Sequence, residues 1–195
     1  MAISKIISFC IIFLFSITTA HADWVLDQEK SNLSYGSIKK NSIGESNHFQ
    51  HLEGRITAGG DITLLIDLSS VETWVDIRNA RMKEFLFQVT DFPVASLKGQ
   101  IDMAKFKKLE VGRQMSIDVA FDFDLHGQTQ VIESEITVLR LSEKTVVVVP
   151  DGIIFLDAEK FNLLSGLKKL KELAKLPSIS SAIPVVFHLT FNQVP

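Results

Sequence analysis

Between Met115 and Leu125 the chain alternates without a break. Met115, Ile117, Val119, Phe121, Phe123 and Leu125 are apolar, and Ser116, Asp118, Ala120, Asp122 and Asp124 between them are acidic, polar or small. In a strand successive side chains point to opposite faces, so this run predicts one apolar face turned to a core and one acidic face in water. The same period recurs in Leu33, Tyr35 and Ser37 of the stretch 31–38, in Ile62, Leu64, Ile66 and Leu68, in Ile132, Ile136 and Val138, and in Val185, Phe187, Leu189 and Phe191. Residues 48–56 and 94–101 also read as extended.

Between these runs lie turn signals: the polar residues 39–45, Gly59-Gly60-Asp61, a lysine-rich connection over 103–112, and Leu125-His126-Gly127-Gln128-Thr129, which predicts a hairpin. Val146-Val147-Val148-Val149 is apolar on both faces and predicts cover on both. Pro150-Asp151-Gly152 predicts a turn that pairs this run with 152–156. The final strand is expected to pair with the first and close the sheet.

Two stretches break the period of two. Residues 69–93 begin extended, up to Trp74, and turn helical near 80–88, where charged residues interleave with Met82, Phe85, Leu86 and Phe87. Residues 165–176 place Leu167, Leu170, Leu173 and Ala174 along one side of a helix and Lys168, Lys169, Lys171 and Lys175 along the rest. Ser165 is the expected cap, Pro177 the stop, and the valine strand the surface this amphipathic helix covers. Roughly eight to ten short strands with two helical pieces predict an all-β antiparallel barrel with a sandwich as the rival, in preference to a βαβ fold.

Composition adds an address. Lys5, an uncharged apolar run over 6–20 and Ala20-His21-Ala22 have the order of a cleaved signal peptide, and the run is shorter than the ~20 residues that span a bilayer. Residues 1–22 are thus expected to be removed, leaving 23–195 as one exported domain of 173 residues. The one cysteine, Cys10, falls in the removed part, so the domain relies on a packed core or a ligand and not on disulfides. The remaining charge is −4, from 19 basic and 23 acidic residues, which gives no basic footprint for nucleic acid.

Catalytic chemistry finds little footing. There is no Gly-x-Ser-x-Gly elbow, no cysteine nucleophile beyond the leader and no His-Glu-x-x-His helix. His48 and His51 invite a metal reading but lack a third ligand, and Asp124 and His126 read as solvated neighbours and not as a dyad. Neither metal nor cofactor is expected.

The inward-facing positions carry the functional signal instead. Phe121, Phe123, Phe187 and Phe191 would form a wall with no hydrogen-bonding handle, so a hollow barrel would select apolar chains by burial, worth about 0.8 kcal/mol for each methylene. The alternative is a structural or interaction module whose core the same side chains simply fill.

Four stretches carry a resemblance: Trp24, Asp27, Ser31 and Tyr35; residues 49–56; Ser70-Val71-Glu72-Thr73 with Arg78-Asn79, Arg81-Met82 and Phe92-Pro93; and Leu125-His126-Gly127-Gln128-Thr129. In these the chain resembles the YceI-like family. That resemblance implies a periplasmic or secreted lipocalin-like barrel that holds a long isoprenoid or similar lipid, and the absent catalytic motifs add the expectation that it is not an enzyme. The candidate pocket then comprises Tyr35, Phe49, Leu52, Phe85, Leu86, Phe87, Phe92, Ile117, Val119, Phe121, Phe123, Phe155, Phe187, Leu189 and Phe191. Arg78 and Arg81 either anchor the 80–88 segment, the favoured reading, or meet a polar headgroup. The lysine face either is solvated or touches anionic membrane. Between 157 and 183 the chain departs from the commoner family pattern, with Phe161 as its remnant.

Overall fold

The computed structural model of the protein describes residues 22–194, so the expected signal peptide lies, but for Ala22, outside the described residues. Among the described residues twelve strands join into one sheet that closes on itself as an antiparallel eight-stranded barrel.

Several staves of this barrel are strands interrupted partway. β1 (Trp24–Leu26) and β2 (Asn32–Lys39) are separated by a 3₁₀ turn, and β3 (Ile43–Phe49) and β4 (Leu52–Ile56) by a kink at Gln50-His51. β5 (Asp61–Asp67) is followed, after a 3₁₀ turn, by β6 (Val71–Glu72). β7 (Val94–Gln100), β8 (Gln114–Leu125), β9 (Gln128–Ser142) and β10 (Thr145–Pro150) come next in ring order, and β12 (Ala182–Gln193) closes the ring on β1 and β2. The predicted pairing of the last strand with the first is observed, with Phe187 opposite Leu33 and Phe191 opposite Leu26. The predicted hairpin joins β8 to β9 through His126 and Gly127, both with positive φ (55° and 71°). Two left-handed residues match the right-handed twist of the strands they join.

Several expectations require correction. β11 (Ile154–Asp157) pairs with β12 and not with β10. Its register, Ile154 opposite Val185, lies along the same edge of β12 that β10 occupies at Val148 opposite Leu189. Pro150-Asp151-Gly152 is therefore a break in a continuing stave and not a hairpin turn, because both edges of β10 are already filled by β9 and β12. The lysine-rich connection contains a short helix, α2 (Met103–Phe106), capped by Asp102, whose side chain accepts from the Ala104 N–H at 2.9 Å. The third concerns the basic helix: α3 spans Leu164–Leu173, and Ser165 makes no cap.

The end of α3 has a different cause from the one expected. Lys175 adopts φ 51°, the Leu176 N–H reaches back to Lys171 O (3.0 Å) and the Lys175 N–H to Glu172 O (3.1 Å). This pair of bonds is a Schellman ending, and Pro177 only follows it. Nor does α3 cover the valine strand, where Val147 and Val149 stay half-exposed. It crosses one end of the barrel against the segment between β6 and β7.

That segment starts its helix earlier than expected, as α1 (Asp76–Arg81), and continues directly into a π-helical turn, Met82–Leu86. Trp74 is not extended but left-handed, at φ 63°. The π turn is closed by the Phe87 N–H on Met82 O at 2.9 Å, five residues apart. The extra residue in the turn lets the consecutive Leu86 and Phe87 both bury, at 7% and 5% exposed, which an ordinary helical turn does not favour.

Candidate ligand cavity

Alternation along eight staves leaves an apolar interior, and it is not filled. A cavity of about 200 Å³ runs inside the barrel, lined by side chains none of which is charged. Four successive inward residues of the β5 stave, Ile62, Leu64, Ile66 and Leu68, all line it. Six residue steps at about 3.3 Å make the wall roughly 20 Å long, longer than the ~15 Å thickness of one leaflet of a bilayer's ~30 Å hydrocarbon core.

The far end is closed by Trp24 of β1 and Phe106 of α2, edge to face with ring centroids 5.3 Å apart. Opposite, a lid made of the π turn, α3 and the 3₁₀ turn before it contributes Leu86, Phe87, Phe161, Leu163 and Leu167 to the lining. An aromatic run links lid to barrel: Tyr35 stacks on Phe49 at 5.3 Å, Phe49 meets Phe87 at 5.7 Å, and Phe161 meets Phe123 at 5.5 Å. Tyr35 brings a hydroxyl to this end, where it meets the Met82 sulfur at 3.8 Å. Burial pushes its phenol well above its ordinary pKa, against a smaller opposing effect of the Arg78 charge, so the group stays neutral.

Ten of the fifteen wall residues expected from the sequence line the cavity: Tyr35, Phe49, Leu86, Phe87, Ile117, Phe121, Phe123, Phe187, Leu189 and Phe191. Leu52 and Val119 are buried in the surrounding core without lining it. Phe85, Phe92 and Phe155 stand elsewhere. Phe155 is 65% exposed because Ile154 and Leu156 take the inward positions of β11, one residue out of the expected register. Phe92 packs on the His126 ring at 4.2 Å, and Phe85 lies under the Lys169 ammonium at 5.6 Å on the outer side of the lid. The sequence reading passed over Met103 and Phe106, hidden in a run whose lysines read as a solvated connection, and Ala158, Leu163 and Leu167 of the lid.

Arg78 and Arg81 both hold structure together. Arg78 pairs with Glu45 of β3, which also accepts from Lys39 at 2.7 Å, and the Arg81 guanidinium donates to Leu173 O at the end of α3 at 3.5 Å. Burial raises the Glu45 pKa, but Lys39 and Arg78 together outweigh it and hold the carboxyl below its ordinary 4.5. Asn79 ties down the preceding loop: its Oδ1 accepts from the Thr73 N–H (2.9 Å) and hydroxyl (2.6 Å), and its amide donates to Glu72 at 3.0 Å.

His48 lies against the Trp74 ring at 5.2 Å, while His51 faces Asp67 at 3.6 Å. Among the described residues no cluster of metal-ligating side chains forms. Asp124 accepts from Thr129 at 3.0 Å and His126 bonds Gln88 at 3.1 Å, so the two do not form a dyad.

Comparison with known proteins gives the fold a context. A model of the YceI-like domain matches residues 24–191. A polyisoprenoid binding domain from Saccharophagus degradans, implicated in plant cell wall breakdown, is 36% identical, with a TM-score of 0.85 over 87% of this chain and 97% of that one. BcnA of Burkholderia cenocepacia, 17% identical with a TM-score of 0.66 over 85% of this chain and 98% of its own, shares the fold. So does a mutant CJ YCEI protein, 10% identical with a TM-score of 0.57 over 76% of this chain and 85% of its own. No curated protein matches.

Proposed function

The chain belongs to the YceI-like family, and from that premise we propose that its barrel binds and carries a long apolar lipid, an isoprenoid or a similar prenyl or acyl chain, in the periplasm. The observation that carries this reading is the uncharged cavity of about 200 Å³ running from the lid to the Trp24–Phe106 closure. An empty apolar void of that size costs on the order of 5 kcal/mol at about 24 cal/mol per Å³. A hydrocarbon chain recovers that loss as burial and dispersion, which weighs against a module with a filled core. The 36% identical polyisoprenoid binding domain supports the choice of lipid class. The signal-peptide order of residues 1–22 supports export. The one hydroxyl of the lining, Tyr35, is held neutral by burial, which supports binding over catalysis.

The test is ligand-induced stabilisation. Polyprenyl compounds added to purified, delipidated protein are expected to raise the melting temperature by roughly 10 °C, given about 2–4 °C for each kcal/mol in a domain of this size. Phe121→Asp and Phe187→Asp, each placing a carboxylate in the wall, should abolish the shift. A wild-type melting temperature indifferent to every long-chain lipid would overturn the proposal.

A further inference from the structure

Trp74 occupies a position that neither its backbone nor the core explains. Its φ of 63° is the left-handed region where glycine is the usual residue, and its side chain is 77% exposed. A bulky aromatic held in an unfavourable conformation and turned out to solvent points to a function outside the fold. The loop is not loose. The Trp74 N–H donates to Glu72, Asn79 bonds Thr73 on the preceding residue, and the His48 ring supports the indole on one side. Val75 and Ile77 extend the apolar tip at 39% and 58% exposed.

The tip stands on a basic end of the molecule. α1 leads into the π turn on which α3 packs, and Arg78 joins Glu45 and Lys39 of the β2–β3 hairpin. The Lys40 N–H in turn bonds Ser178 O, just beyond α3, at 3.2 Å. Across residues 39–45, 72–84 and 164–178 this end holds nine basic side chains against five acidic ones, Glu45, Glu72, Asp76, Glu84 and Glu172. The rest of residues 23–195 holds ten basic against eighteen acidic. Residues 23–195, of net charge −4, thus concentrate a local +4 around an exposed tryptophan, at the end where the cavity is covered by its lid. Tryptophan settles at the headgroup level of a bilayer, and clustered lysines are drawn to anionic lipid.

We propose that this end is a membrane-docking surface: Trp74, with Val75 and Ile77, inserts into the interface of an anionic bilayer while the lysines of α3 hold the headgroups, setting the lid against the membrane. The inference deepens the carrier reading by naming the surface through which cargo would pass.

Intrinsic fluorescence reads it directly, since the protein has two tryptophans and the other, Trp24, is buried at 3% exposed. Vesicles containing phosphatidylglycerol should blue-shift the emission and protect it from acrylamide at low salt, and phosphatidylcholine vesicles should not. Trp74→Gly accepts the left-handed backbone and so should keep at least the wild-type melting temperature. It should still lose about tenfold or more in vesicle binding, since burying half of an indole's surface is worth more than a decade of partition. Lys168→Glu with Lys171→Glu should weaken binding to a level that added salt also produces. Unchanged binding by Trp74→Gly, no wild-type binding, or a blue shift that follows protein concentration without vesicles, indicating self-association, would each overturn the proposal. The lipid-induced melting shift of Trp74→Gly is measured in parallel and should equal that of wild type, so a failure of docking and a failure of cargo binding are told apart.

Discussion

Replacing Gly166 with alanine tests how the lid is seated. Gly166 sits in the first turn of α3, and a Cβ built there would lie 2.5 Å from the Phe85 carbonyl oxygen and 2.8 Å from Leu86 Cα. Ordinary contact begins at 3.4 Å, so α3 and the π turn must part by about 1 Å, and both atoms in the way belong to backbone. Two effects oppose each other. Alanine gains up to ~1 kcal/mol in helix propensity, less this close to the helix start, whereas overpacking of this kind costs about 1–3 kcal/mol. The second should win by about 1–2 kcal/mol, a fall of roughly 5 °C in melting temperature at about 2–4 °C per kcal/mol. Gly44→Ala, whose Cβ would meet nothing within 4 Å, is the control and should be neutral or slightly stabilising. Thermal unfolding followed by circular dichroism measures both, and hydrogen exchange should show faster opening of residues 82–87 in Gly166→Ala alone. A Gly166→Ala protein more stable than wild type would show that α3 does not rest on the π turn and would refute this account of the lid.

Other consequences follow from the electrostatics. Glu45 has a folded pKa below its ordinary 4.5, so its contribution is present above that value and is lost as pH falls through the lowered one. Glu45→Gln should therefore melt below wild type at neutral pH, with the gap closing in acid below 4.5. A gap independent of pH would mean the carboxylate is not holding Arg78. Burial holds the His126 imidazole below its ordinary 6.5, against a smaller opposing effect of the Phe161 backbone. The unfolded chain therefore binds the proton more readily, and stability should decline as pH drops below 6.5. His126→Gln should flatten that part of the profile, and an unchanged slope would place the titration elsewhere.

Much of the barrel was legible because alternation is a local signal. The inward faces of β5, β8 and β12 follow from spacing alone, as does the His126-Gly127 hairpin. Long-range pairing was less so. Nothing near Ile154 says that its partner is Val185 on the far side of α3, and a Pro-Asp-Gly break looks the same whether the chain reverses there or continues. The Phe155 error is one of register, since a run apolar on both faces does not say which set turns inward. The lid was half legible: Leu86 and Phe87 emerged, but the π turn that lets adjacent residues share a face has no periodic signature. Phe106 was hidden by its lysine neighbours, although those lysines project to water while Met103 and Phe106 close the cavity.

The central claim is that the barrel is hollow so that a long apolar chain can occupy it. Native mass spectrometry of the protein purified from its native cell, followed by organic extraction and identification of the released molecules, tests this most directly. The account predicts a mass adduct that extracts as one long-chain prenyl or acyl lipid and that Phe121→Asp lacks. Recovery of wild-type protein with no adduct, or an adduct retained unchanged by Phe121→Asp, would contradict it.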